Sequence, residues 1–160
     1  MEKKSAGLLL HRHRNGALEV FLVHPGGPIW ANRDAGVWSI PKGEFGPDED
    51  PFAAARREFA EETGFKVEGR FAALTPLRQR SDKLVYAWAV EGDCDAAAVR
   101  SNTFPMEWPP HSGITREVPE IDRAAWFSME TAREKILNGQ TGFLDELEKL
   151  LSAVAKTDHQ

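Results

Sequence analysis

The sequence predicts a mixed α/β domain in which helices cover a mixed sheet. Three observations carry that prediction. Short apolar runs with alternating polar residues come in pairs joined by turn residues, as antiparallel strands do. One helix, framed by Pro51 and Gly64, interrupts them, and two more close the chain. The elements do not follow the regular strand–helix–strand order of a doubly wound parallel sheet. At 160 residues the chain is long enough for one core of its own, so residues 1–160 read as a single domain.

Each element has its reason. "AGLLLHRHRNGALEVFLVHPGG" gives two strands, Leu8 to His13 and Leu18 to His24, with Asn15-Gly16 as the hairpin signal. A polar loop, "PGGPIWANRDAG", leads into "VWSIPKG". Pro51 then sits where a first helical turn accepts proline, after the acidic "PDED" that suits a helix N-terminus. That helix runs to about Thr63, with Gly64 as its C-cap. "RFAALTPLRQR" and "KLVYAWAVEG" predict two strands around "SDK". The stretch from Ser101 to Pro119, rich in Pro, Trp and Gly, predicts a loop, and "AAWFSM" a last short strand. "METAREKILNG" and "FLDELEKLLSAVAK" predict the closing helices. In the second, Phe143, Leu144, Leu147, Leu150 and Leu151 recur at helical spacing.

Composition excludes several classes. A net charge of −5 argues against a general nucleic-acid binder, which is normally basic. An acidic chain still binds a polyanion where a metal ion supplies the positive charge. The single Cys94 excludes an internal disulfide framework and fits a reducing compartment. "MEKKSAGLLLHRH" is too short in apolar residues for a signal peptide, and no segment approaches the ~20 apolar residues of a membrane span. The expectation is a soluble, cytoplasmic protein.

The helix before Gly64 carries Glu58, Glu61 and Glu62 within an arc of roughly 100°. Phe52, Ala55 and Phe59 form the neighbouring arc, which would seat the helix on a sheet. The acids therefore border the buried stripe and should line a crevice. Glu58 and Glu62 are a like-charge i,i+4 pair, unfavourable by a few tenths of a kcal/mol. A solvated face tolerates that cost. Bound divalent cations would reverse its sign, and all-oxygen ligation suits Mg2+ or Mn2+.

The flanking residues narrow the choice. Gly43, Glu49, Arg57, Glu58, Glu61, Glu62 and Gly64 stand in the spacing G-x5-E-x7-R-E-U-x-E-E-x-G-U, where U is bulky and apolar. This resembles the signature of the Nudix hydrolases with every fixed position filled. Phe59 and Phe65 occupy the U positions, where the family usually has Ile, Leu or Val. The order of strands and helices is similar to the Nudix α/β/α sandwich over nearly the whole chain. "SNTFPMEWPPHSG" and "EIDRAAWF" resemble a bacterial group of predicted NTP pyrophosphohydrolases.

The resemblance implies a divalent-metal-dependent pyrophosphohydrolase that cleaves a nucleoside diphosphate linked to another group, an NTP or a dinucleoside polyphosphate among the candidates. It makes Glu58 and Glu62 metal ligands, Glu61 a ligand or the water-activating base, and the Gly43 carbonyl a further ligand. Arg57 would hold a glutamate by an ion pair, with Glu49 as its partner. A fourth carboxylate often precedes the last strand in this family. Glu117, Glu120 and Asp122 are available, and Glu120 is the choice. Which glutamate is the base, how many ions bind and which substrate is cut stay open.

Other residues enter by their chemistry. Lys42 is well placed for a phosphate, and Arg78, Arg80 and Lys83 surround a turn where a polyphosphate tail would fit, or simply water. Trp30, Trp108 and His111 lie in loops where a base could stack or a lid could close. His11 and His13 share one strand face and are read as structural. The expected partner is a small nucleotide-type substrate, with no DNA-binding module and no membrane. The oligomeric state is open, a homodimer included. The alternative function is a non-catalytic nucleotide-binding Nudix module that regulates a partner.

Overall fold

The computed structural model describes residues 3–158, without the side chains of Ser81 and of residues beyond 154. Residues 1, 2, 159 and 160 of the expected domain lie outside that description. The strands are β1 (Lys3–Arg14), β2 (Ala17–Pro25), β3 (Lys42–Glu44), β4 (Phe71–Ala73), β5 (Leu77–Gln79), β6 (Lys83–Glu91), β7 (Thr103–Glu107), β8 (Thr115–Pro119) and β9 (Ile121–Ser128). The α-helices are α1 (Pro51–Thr63), α2 (Met129–Lys135) and α3 (Thr141–Asp158).

The main sheet runs β4-β6-β1-β2-β9, with β3 added to β1 and β5 to β6. It is mixed. β1 runs parallel to β6 from Lys3–Lys83 to His11–Glu91, and the other pairings are antiparallel. The β1–β2 hairpin closes at Asn15 and Gly16, whose φ values of 54° and 80° give the left-handed pair that a tight two-residue turn needs.

Both faces of this sheet are buried, and the strand period of two sorts the side chains. Leu9, Val20, Leu22, Val85, Ala87 and Ala89 join Phe143, Leu144 and Leu147 of α3 in one core. Ala6, Leu8, Leu10, Phe21, Val23 and Val90 join Ala54, Ala55 and Phe59 of α1 in the other. Helices therefore cover the sheet on both sides, an α/β/α sandwich. Phe52 is only partly buried, edge-on to Phe71 with centroids 4.9 Å apart. The stripe that seats α1 is thus narrower than its sequence suggests.

The site depends on how β2 leaves β1. The two strands pair only at His11–Arg14 with Ala17–Val20; beyond that, β2 pairs with β9. Into the wedge goes the segment before α1. Ser39 bridges Val23, Leu8 N–H donates to the Pro41 carbonyl at 3.2 Å, and β3 continues against Ser5–Gly7. Lys42 and Gly43 are thereby delivered to the face that α1 covers.

Three expectations need correction. Ser101–Pro119 is not a loop but a separate two-stranded sheet, β7 against β8. β1 and β9 begin earlier than expected, at Lys3 and Ile121, because each has a long partner strand. "RFAALTPLRQR" is two short strands, not one, with Pro76 between them.

Candidate active site

α1 is built to point its carboxylates at the wedge. Asp50 caps it, its side chain accepting from Ala53 N–H at 2.9 Å, and Pro51 opens the first turn. Gly64 ends it in the left-handed conformation. Ala55 and Phe59 anchor it on the sheet, and that anchoring carries Glu58 and Glu62 inward. Glu58 is 9% exposed and Glu62 5%.

Gly43 lies directly against Glu58. A Cβ built on it would stand 1.9 Å from Glu58 Oε2 and 2.1 Å from Cδ, so any side chain there would have to displace the carboxylate. The backbone of β3 and the carboxylate of α1 therefore share one close-packed spot. One residue earlier, Lys42 N–H donates to Glu62 Oε1 at 3.1 Å.

Arg57 organises the outer half of the acid set. Its Nε and Nη2 meet Glu49 at 2.7 and 2.8 Å, and its Nη1 meets Glu58 at 2.8 Å and Glu61 at 3.1 Å. The Glu49 contact comes first in raising the guanidinium above its ordinary range, with Glu61 and Glu58 adding to it. The same bond holds the Glu49 carboxyl low.

The inner acids are different. Burial pushes Glu62 up to about 8, against the opposing charge and backbone N–H of Lys42, while Glu120 and Glu58 push it further. Burial also raises Glu58, although Arg57 opposes it. Glu120, on the solvent side of β8's end, is raised by partial burial and by Glu61. Lys42 is lowered by burial and then by Lys83, with Glu62, Glu44 and Glu58 acting against both. Burial thus disfavours the charge on Glu58, Glu62 and Glu120, and their mutual repulsion adds to it.

A cleft of about 250 Å³ opens beside them. Lys42, Glu62 and Glu120 stand in its wall, and Val23, Trp30, Val37, Ile40, Ile121 and Leu137 make the rest of it largely apolar. Of the three candidates for a fourth carboxylate, Glu120 faces this cleft. Glu117 accepts from Thr103 Oγ1 at 2.9 Å on the outer sheet, and Asp122 binds His24 at 2.8 Å. The backbone fixes Glu120 on two sides: its N–H donates to Asn102 O at 2.9 Å, and its carbonyl accepts from Gly26 N–H at 2.8 Å. Asn102 N–H in turn donates to the Glu61 carbonyl at 3.1 Å, tying this corner to α1.

Other singled-out residues lie elsewhere. Arg78 and Arg80 line a second cleft with Gln79, Leu137 and Asn138. Lys83 meets Glu44 at 3.4 Å. Trp30 stands at the mouth of the first cleft, 37% exposed, while Trp108 and His111 sit at the far end of the β7–β8 hairpin. His11 is buried, with its Nδ1 lacking a hydrogen-bond partner among the described residues, and His13 is exposed.

Sequence reasoning missed His24. It is fully buried, with Nδ1 2.8 Å from Asp122 Oδ1 and Nε2 2.6 Å from the Arg33 carbonyl. It thus pins the loop that carries Trp30 to the strand that follows Glu120. Nothing in an alternating strand marks such a residue, because its partners are 98 and 9 positions away.

Whether these acids suit a divalent cation can be read from the donors. All are oxygens, as Mg2+ and Mn2+ prefer, and the Gly43 backbone lies against Glu58 without a side chain between them. Among the described residues no three carboxylate, imidazole or thiolate groups are already drawn into a metal cage. Glu58 and Glu61 are turned onto Arg57 instead. The residue set fits such an ion once those two side chains turn inward. Among the described residues no helix is long and apolar enough to cross a membrane.

Comparison with known proteins agrees with this fold. The chain resembles a Caenorhabditis elegans (C. elegans) Ap4A hydrolase solved as a binary complex, at 21% identity and a TM-score of 0.65, over 94% of this chain and 98% of that one. The NUDIX domain of Shewanella oneidensis NrtR, complexed with ADP ribose, follows at 14% identity and 0.64, over 94% and 89%. A mutT/nudix family protein from Listeria innocua matches at 18% and 0.58, over 97% and 95%. At these identities the likeness is one of fold. No curated protein matches by sequence. The NUDIX domain family model, however, matches residues 1–147, nearly the whole chain, and so the chain belongs to the Nudix hydrolase family.

Proposed function

We propose that this pyrophosphohydrolase depends on Mg2+ or Mn2+ and cleaves a phosphoanhydride of a nucleoside diphosphate linked to a further group. The observation that carries the reading is the burial of Glu58 against the bare backbone of Gly43 and of Glu62 beside it, next to a largely apolar cleft. Burying several carboxylates side by side is unfavourable unless a cation joins them.

Glu58, Glu61, Glu62 and the Gly43 carbonyl would hold the ion. Once bound, it would neutralise phosphate oxygens and make water acidic enough to attack near neutral pH. The chain's own residues do the rest. Arg57, gripped by Glu49, keeps α1's outer acids in reach of the inner ones. Glu61 and Glu120 are the candidates for taking a proton from an attacking water, Glu120 from the cleft wall. Lys42 places an ammonium where phosphate charge grows, as electrostatic stabilisation requires. Val37, Ile121 and Leu137 supply apolar surface for a base, with Trp30 at the mouth.

The test is hydrolysis of a panel of nucleoside triphosphates, nucleotide sugars and dinucleoside polyphosphates with each metal. Release of phosphate or pyrophosphate should fall by about 10²- to 10⁴-fold in Glu61→Gln or Glu120→Gln, whichever is the base. Tight binding across the panel with no turnover by the native chain would instead favour the non-catalytic module.

A further inference from the structure

The second cleft, about 560 Å³ in volume, has a charge pattern opposite to the first. The charged groups that line it are Arg78 and Arg80, joined by the amides of Gln79 and Asn138. Among the described residues no carboxylate stands in its wall. Arg78 is braced by Asp82 at 2.7 Å, and Arg80 is exposed with no ion pair among the described residues. Lys83, although opposite Gln79 in the β5–β6 register, meets Glu44 and stands outside this lining. The walls are built: a Cβ on Gly139 would stand 3.1 Å from Gln79 Cγ, so the turn before α3 packs closely on β5.

The two clefts adjoin. Leu137 lines both, and the consecutive residues Gly36 and Val37 line one each. A ligand whose anhydride lies at Glu62 and Glu120 meets apolar surface at Val37 and Leu137, and past it two guanidinium groups. Arginine binds phosphate through paired N–H donors.

We propose that the Arg78–Arg80 cleft is a second phosphate subsite, so that the preferred substrate carries a phosphate remote from the anhydride that is cut. This rests on the carboxylate cleft being the reaction centre. The remote phosphate has two chemical sources, one on the sugar of the nucleotide and one in a long polyphosphate chain between two nucleosides.

Calorimetric titration separates them, in the presence of Mg2+. One arm compares adenosine 3′,5′-bisphosphate with adenosine 5′-monophosphate. The other compares methylene-bridged, nonhydrolysable diadenosine pentaphosphate with the corresponding triphosphate. In one arm the ligand with more phosphate groups should bind about tenfold tighter, as one charge-assisted phosphate contact would give. Arg80→Ala should bring that ratio to about one, and Arg80→Lys should restore part of it. No preference in either arm, or a preference that survives the Arg78→Ala/Arg80→Ala double variant, would overturn the proposal. Turnover of Glu62→Gln measured in parallel keeps the two readings apart. Were that variant as active as the native chain, the reaction centre would be misplaced, whatever the arginines do.

Discussion

The two sides of α1 hold the same chemical groups and treat them in opposite ways. On the outer side, Glu49 and Glu61 meet the Arg57 guanidinium at 2.7 to 3.1 Å and stay partly exposed. On the inner side, Glu62 is 5% exposed, its nearest cation Lys42 is itself disfavoured by burial, and Glu58 and Glu120 add like charge. One set is neutralised where it stands. The other is disfavoured as charge by burial, as the proposed cation site requires before an ion is bound. What separates them is position relative to the sheet, since both belong to one motif.

The sharpest way to break that contrast is Glu62→Gln. The folded chain holds this carboxyl at about 8, above its ordinary 4.5, so the fold prefers the protonated form. Its stabilising contribution is complete below about 4.5 and is lost as pH rises through about 8. In metal-free buffer at pH 8.5 the glutamine, neutral at every pH, should therefore melt higher than the native chain by at least about 3 °C. Hydrolysis should fall by about 10²-fold or more in the same variant. Scanning calorimetry with EDTA and a phosphate-release assay with Mg2+ measure both. A lower melting temperature would show that Glu62 supports the fold and is not strained by it.

Gly43→Ala tests the contact between β3 and α1. The new methyl would need the space 1.9 Å from Glu58 Oε2, so the carboxylate must move or the wedge must open. Overpacking of this kind costs about 1–3 kcal/mol, and a misplacement of about 1 Å lowers rates by up to about 10²-fold. A variant with native kcat would mean that Glu58 is free to leave this spot.

On the outer side the effect should be smaller. Arg57→Lys keeps the charge but loses the planar fork that reaches Glu49, Glu58 and Glu61 together. Apparent affinity for Mg2+, read from the metal dependence of hydrolysis and of melting temperature, should weaken by about 10- to 100-fold. Glu49→Gln should fall at the low end of that range. A larger loss than Glu62→Gln would reverse the ranking of the two sides.

How much of this was legible in the sequence follows from the range of each interaction. α1 was readable from Pro51 to about Thr63, because its proline, the acidic residues before it and its terminal glycine act within one turn. The seven-residue motif gave the acids, and the spacing alone put them beside the buried stripe. The β7–β8 hairpin was not legible: Phe104, Met106 and Trp108 alternate as a strand does, but Pro105, Pro109 and Pro110 interrupt them. Proline argues against a strand unless the strand lies at an edge, and this pair has only edges. His24 failed for another reason. Its role comes from Asp122, which only the β2–β9 register brings near. Likewise, nothing local reveals that Arg78 and Arg80 face a different cleft from Lys42, since Leu137, far along the chain, stands between them.

The smallest expected effect lies at His11, away from the acids, and separates general pH sensitivity from that of the site. Its ring is 6% exposed with Nδ1 unpartnered. Burial lowers its pKa below 6.5, against the pull of Glu91, and His13 lowers it further. The fold therefore prefers the neutral ring. That contribution is whole above 6.5 and is lost as pH falls from there through the lower folded value. Between pH 7.5 and pH 5 the native chain should lose more melting temperature than His11→Leu, by about 2–4 °C for each kcal/mol involved. Over the same interval Glu62 acts in the other direction, since protonation relieves it. The metal-free Glu62→Gln variant should therefore lose more on acidification than the native chain, and His11→Leu less. Parallel melting curves for all three would place the acid response in neither group.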